Sequence, residues 1–324
     1  MFKAKKIFGH TKDDKMHRIF QFILIVWVLC PLNLWALVDY TEQEYEKVPQ
    51  IQTSSGNPKP MSVNTTSISS KQNGGNFISA FSLGNSFESQ KININEQTKK
   101  VDKYNFNLFI QSGYNIFMNA NFWMAKTDSE MISSNAKTQN GNPTIKLGFN
   151  WLRFGNQTEL ATVDIFGGMM LKGHSDFASS RNDQLLGIET TKRFHQMAFG
   201  LGYEYRITGD PANPVETMVG NISKFQVAMG WKVSGDINLS LEANYIKVQG
   251  TDSPLKESLL YKGFNYGYVT PKMSLALSQL VGIDLGGNFR TKKVLIDESI
   301  LQAHLWELQG LYGNSIFAGL NILW

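Results

Sequence analysis

Ten charged side chains recur at alternate positions of apolar-rich segments: Asp164, Glu189, Arg193, Glu204, Arg206, Lys224, Lys232, Glu242, Asp284 and Arg290. If the large apolar residues between them face hydrocarbon, these charges project to the opposite side, into an enclosed space. Both signs occur. Opposed charges across such a space set up a transverse field that orients polar solutes, or they pair and fill the interior, and residue types leave the two open. His174, Ser175 and Asp176 carry the groups of a hydrolytic relay, but adjacency in one polar stretch does not bring nucleophile, base and orienting carboxylate within reach of one another. His195 and His304 are isolated, and no His/Asp/Glu set has metal-ligand spacing, so no catalytic residue, metal or cofactor is expected.

The elements that would position the charges have a period of two. Met197, Phe199, Leu201, Tyr203, Tyr205 and Ile207 alternate with Ala198, Gly200, Gly202, Glu204 and Arg206, and Phe225, Val227, Met229, Trp231 and Val233 alternate with smaller or polar residues. That is a strand with two different faces. Twelve such segments are predicted, at 77–89, 102–112, 115–126, 143–153, 159–171, 184–194, 197–208, 222–233, 237–248, 269–279, 282–291 and 314–324. Leu259–Tyr268 and Ala303–Leu311 would raise the number to fourteen if they were strands rather than parts of long loops. Short turns such as 155–157 and 234–236 alternate with long polar loops at 127–142, 172–182 and 209–220. Strands of ~10 residues with this asymmetry fit an all-β, antiparallel, up-and-down transmembrane barrel. A soluble sandwich also alternates but requires neither the loop asymmetry nor aromatic residues at strand ends.

The first 36 residues hold six Lys/Arg and two Asp, which is the chain's whole formal surplus of +4. The remainder is formally neutral, which gives no reason to expect a nucleic-acid partner. Ile19–Trp35 is one apolar run after a basic segment and before Ala36, the layout of a cleavable secretory signal over 1–36. Pro31 and Asn33 interrupt it short of the ~20 residues that a bilayer-spanning helix needs. Cys30 is the single cysteine, so neither a disulfide scaffold nor, after cleavage, thiol chemistry is available. Residues 37–76 are rich in Ser, Thr, Asn, Gln and Pro and read as a flexible periplasmic tail, with a plug as the alternative. The barrel is assigned to 77–324.

Trp123, Trp151, Tyr203, Tyr205, Trp231, Tyr245 and Trp324 are expected as interfacial anchors, where rings bury and polar edges stay wet. Phe264, Tyr266 and Tyr268 fall in a segment read as an outside loop, where solute capture and anchoring both fit. At the end of the chain Ile316, Ala318, Leu320, Ile322 and Trp324 are spaced by two and finish on an aromatic ring. This resembles the C-terminal recognition strand of Gram-negative outer-membrane proteins, which implies insertion by the barrel-assembly machinery. Over 143–324 the succession TVDIFGGMMLKGHSD, TTKRF, GLGYEYRITGD and GLYGNSIFAGL resembles the barrel family named for the MetA pathway of phenol degradation, although Met170-Leu171-Lys172-Gly173 stands where that family carries a Pro-Thr-Gly stretch. The resemblance implies passage of small organic compounds.

The resulting expectation is a barrel in the outer membrane of a Gram-negative bacterium, with lipid and a small solute as partners, passing small solutes that include hydrophobic or aromatic organics. A closed adhesive barrel and a membrane-embedded hydrolase are the competing readings. The facing assignment is testable: Leu201→Arg should impair insertion by roughly 2–4 kcal/mol in a folding titration into lipid, whereas Glu204→Gln should mainly shift ion preference. Equal tolerance of the two changes would refute it.

Overall fold

The computed structural model describes residues 78–94, 97–112, 114–130, 132–133, 137–155, 159–251 and 259–323. The leader and tail expected over 1–36 and 37–76, and Trp324, lie outside the described residues. The strands are β1 (Ile78–Ile94), β2 (Gln97–Ser112), β3 (Ile116–Thr127), β4 (Gln139–Asn140), β5 (Thr144–Phe154), β6 (Ala161–Met170), β7 (Asp183–Phe194), β8 (Met197–Ile207), β9 (Ile222–Lys232), β10 (Ile237–Val248), β11 (Phe264–Ala276), β12 (Val281–Lys292) and β13 (Gly313–Leu323). All but β4 form a closed antiparallel ring of twelve, each paired with its neighbours in sequence and β13 returning to β1. The two-residue β4 adds only to β3.

Closure is what the surroundings demand. Hydrocarbon offers no hydrogen bonds, so a sheet within it must leave no edge. The seam is a full ladder of eleven pairs from Ser82↔Leu323 to Ile92↔Gly313. Outward positions carry exposed large apolar side chains, among them Leu83, Ile116, Leu147, Leu186, Leu201, Val227, Leu241, Leu285 and Leu320. No described helix is long and apolar enough to cross a membrane. One end of the ring has short turns, including His195–Gln196 between β7 and β8, and the other carries the long connections of β3, β6, β8, β10 and β12.

Two segments differ from their expected form. Leu259–Lys262 is a helical turn (α1), and Phe264–Tyr268 begins β11 itself, which runs Phe264–Ala276 rather than 269–279. Ala303–Leu311 follows the short helix α2 (Glu298–Gln302) without forming a strand, so the fourteen-stranded alternative is excluded. The start of β11 was hidden because its polarity is inverted. Phe264, Tyr266 and Tyr268 pair with Val248, Ile246 and Asn244 and share their inward face. They therefore line the barrel interior rather than an outside loop. β1 and β2 also run past their expected limits, to Ile94 and from Gln97, where the polar residues resemble a loop.

The main apolar core sits inside the ring at its loop end. Ile92, Val101, Trp123, Ile222, Ile246 and Val248 point inward from strand ends and pack around Leu260, Ile300, Leu305, Trp306, Leu311 and Tyr312. The connection 293–312 thus folds into the mouth as a cap. Asp297 caps α2, accepting from the Ile300 amide at 2.9 Å and, through its other oxygen, from the Leu259 amide at 3.1 Å. Gly310 turns the chain at φ +72°, with Tyr268 so close that a Cβ there would lie 2.8 Å from the tyrosine Cβ. Gly310→Ala should cost the seated cap ~1–2 kcal/mol from the left-handed backbone alone. The check is faster chymotryptic cleavage at Trp306 in an otherwise intact barrel.

Candidate functional site

The site is the barrel interior below the cap, and its roof is held by groups from the wall. Lys103 on β2 donates to the Trp306 carbonyl at 2.8 Å. Tyr266 and Tyr268 donate to the Gln309 carbonyl and side-chain oxygen at 3.2 and 3.3 Å. Arg290 on β12 donates to the Leu311 carbonyl at 3.4 Å. Within the cap Trp306 stacks on Tyr312, with ring centroids 4.1 Å apart, and meets Phe177 edge-on at 5.3 Å. The Tyr312 hydroxyl donates to the Ile300 carbonyl at 3.1 Å and accepts from the Leu305 amide. Burial, followed by the Glu307 carboxylate, raises the pKa of the Tyr312 phenol, which keeps it a donor.

Glu307 is the electrostatic centre of the roof. Arg206 on β8 bonds its carboxylate at 2.7 Å, and Arg181 in the β6–β7 loop approaches it at 3.6 Å. Arg181 is fully buried and also meets Asp183 at 3.2 Å, Glu216 at 3.3 Å and the Ala303 carbonyl at 2.8 Å. Two guanidinium groups are therefore held among three carboxylates drawn from a strand and two loops. Such buried charges tolerate desolvation only when paired and hydrogen-bonded, so the cap is tied to the wall by groups that cannot be left alone.

Beneath the roof lies a cavity of about 250 Å³ with a polar wall. Asn105, Asn107, Asn119 and Asn121 form its β2–β3 side, Lys146 stands beside Asn119 on β5, and Glu189, Glu204, Lys224 and Gln226 continue the wall over β7 to β9. Glu204 bonds Lys146 at 2.5 Å, lies 4.0 Å from Arg206 and is paired in register with Lys224. On the turn side of the cavity Phe109, Phe117 and Phe166 cluster inside the ring.

The ten expected interior charges all occupy inward register positions, though at different levels. Glu189, Glu204, Arg206 and Lys224 line the cavity. Glu242 accepts from Gln226 at 3.2 Å, and Asp164 is bonded by Asn150. Asp284 meets Asn321 at 2.7 Å and Lys272 at 4.0 Å, while Arg193 and Lys232 sit half-buried near the turn end. Sequence reasoning passed over Glu88, Lys103 and Lys146, whose parity already marked them as inward, and also Arg181 and Glu307, whose loops have no period to read.

Trp123 requires correction as an interfacial anchor. It is only 6% exposed, because β3 turns Asn119, Asn121, Trp123 and Ala125 inward. Its ring occupies the space above Gly141, where a Cβ would lie 1.9 Å from the indole, and Lys103 sits 5.4 Å from the ring centre. Trp151 and Trp231 point outward near the turn end, 56% and 48% exposed. Tyr203, Tyr205 and Tyr245 lie on the outward face of the loop half, with Tyr203 4.8 Å from Phe225. Ile316, Ala318, Leu320 and Ile322 form the outward row of β13.

Ser175 donates to the Asn140 carbonyl at 2.5 Å, and the Asp176 carboxylate accepts from Ser133 at 2.7 Å. His304 approaches the Asp176 carbonyl at 2.7 Å, while His174 is exposed. These groups join the β3–β5 loop to the β6–β7 loop and the cap. No set of three or more potential metal ligands occurs among the described residues.

No family model and no curated relative matches the sequence. Among solved structures, an outer membrane channel from Pseudomonas putida F1 is similar at a TM-score of 0.53 and 6% identity, over 84% of this chain and all (100%) of that one. The NanC porin gives 0.48 at 8% identity, over 75% and 98% of the two chains. Outer membrane phospholipase A from Escherichia coli gives 0.40 at 13% identity, over 74% and 89%. At 6% identity, what the chain shares with the Pseudomonas putida channel is the fold.

Glu307→Gln would remove the carboxylate that Arg206 meets at 2.7 Å and leave that guanidinium with Asp183 at 3.9 Å and Glu204 at 4.0 Å. Breaking a buried pair in this way costs up to about 3–5 kcal/mol. Hydrogen exchange should therefore quicken in 303–311 while the strand amides stay protected; unchanged exchange there would show that the clamp does not hold the cap.

Proposed function

We propose that this barrel resides in the outer membrane of a Gram-negative bacterium, with its loop end outside, and gives passive passage to small solutes through a bore that the 293–312 cap constricts. The observation that carries this reading is the polar cavity beneath the cap, lined by Lys103, Lys146, Glu189, Glu204 and Lys224. An interior kept only to support the wall would be better served by apolar packing, since buried charges are a weak source of stability. The likeness in fold to a solved outer membrane channel supports the same reading. Insertion by the barrel-assembly machinery is part of the proposal and rests on the outward row Ile316, Ala318, Leu320 and Ile322.

The narrower solute class is small organic molecules with an aromatic part. Phe264, Tyr266 and Tyr268 form a ladder of rings with neighbouring centroids 6.4 Å apart at the mouth, beneath the cap. Withdrawing the cap uncovers ring faces above a charged bore, which is suited to a solute with one flat apolar side and one polar end. No covalent step is assigned to any residue.

Planar-bilayer recording of the purified full chain tests the proposal. Discrete steps are expected, small for the native protein and larger or more frequent for Glu307→Gln. Silence from both proteins, when both show the heat-modifiable migration of a folded barrel, would refute passage and favour a closed adhesive barrel.

A further inference from the structure

The outward rim at the loop end is electrically lopsided. Six consecutive strands around the seam present Lys247 on β10, Asn265 on β11, Lys292 on β12, Asn314 on β13, Lys91 on β1 and Lys100 on β2, each near the loop end of its strand. The four lysines are exposed. Lys247 pairs with Asn265, whose side-chain oxygen accepts from Lys292; Asn314 pairs with Lys91, and Lys91 pairs with Lys100. The only carboxylate on the outward loop ends of these strands, among the described residues, is Asp102, bonded to Lys100 at 2.9 Å. The same positions on β5 to β8 carry Ile145, Met169, Gln184 and Ile207, none of them charged.

Placing Lys91 directly opposite Lys100 is unfavourable for the sheet, because like charges across a ladder repel and Asp102 offsets only the Lys100 side. An anion between them removes that cost. Directly toward the membrane from the arc lie exposed Tyr245, Phe289, Ile316, Phe87 and Tyr104. A ligand covering both layers has phosphate at the level of the lysines and acyl chains at the level of the rings. We propose that this arc docks the phosphorylated glycolipid headgroup of the outer leaflet, with its acyl chains lying on the aromatic and aliphatic residues below. The inference depends on the loop end facing outward and is independent of solute passage.

The test uses the full chain in detergent micelles, titrated with diphosphorylated lipid A and followed by the temperature at which heat-modifiable migration is lost. Saturable stabilisation is expected. Replacing Lys91 and Lys100 together by Gln should weaken it by about tenfold or more, since each cation near an anionic surface contributes on the order of 1 kcal/mol. Lys247→Gln with Lys292→Gln is the second variant, in case the first does not fold, and Lys192→Gln at the turn end should change nothing. The proposal is overturned if a folded double variant binds as tightly as the native chain. Equal stabilisation by dephosphorylated lipid A, or by inorganic phosphate alone, would overturn it too, the latter by identifying a free-anion site. Conductance is not a readout here, so failure of this test and failure of the channel reading are separable.

Discussion

A β-sheet in hydrocarbon must satisfy every main-chain group from within, and the remaining architecture follows from that requirement. The β1–β13 ladder meets it by joining the first and last strands. Once the ring is closed, side-chain alternation divides each strand between lipid and interior, so the outward leucines and the inward Lys146, Glu204 and Lys224 are two aspects of one constraint. Polar residues are tolerated inside because the interior supplies partners that lipid does not.

The strands are not uniform along their length. On β10, Leu239, Leu241 and Tyr245 face outward along the membrane stretch, while at the loop end the inward positions are Ile246 and Val248. β11 does the same with Phe264, Tyr266 and Tyr268. The interior therefore has an apolar collar at its mouth and a charged chamber below it. The cap fits both: Trp306, Leu311 and Tyr312 pack in the collar, and Glu307 reaches the guanidinium groups of Arg181 and Arg206.

This layering sets what the sequence could reveal. Where lipid lies on one side and polar groups on the other, as in β8 and β9, period-two alternation identified both the strand and its facing. Where the interior is also apolar, alternation keeps its period and loses its sign, which is why it does not reveal the first residues of β11 or the inward facing of Trp123. The inward charges on strands were legible because parity alone places them. Arg181, Glu216 and Glu307 were not, since loop residues reach one another only through tertiary packing, and no spacing in the chain records that Arg181 meets the Ala303 carbonyl.

The cap belongs to the connection that precedes β13, so the strand that completes the ring and the segment that fills its mouth are one continuous stretch of chain. Sideways closure against β1 and lengthwise filling of the lumen are therefore covalently linked, and displacing that stretch would unseal both together.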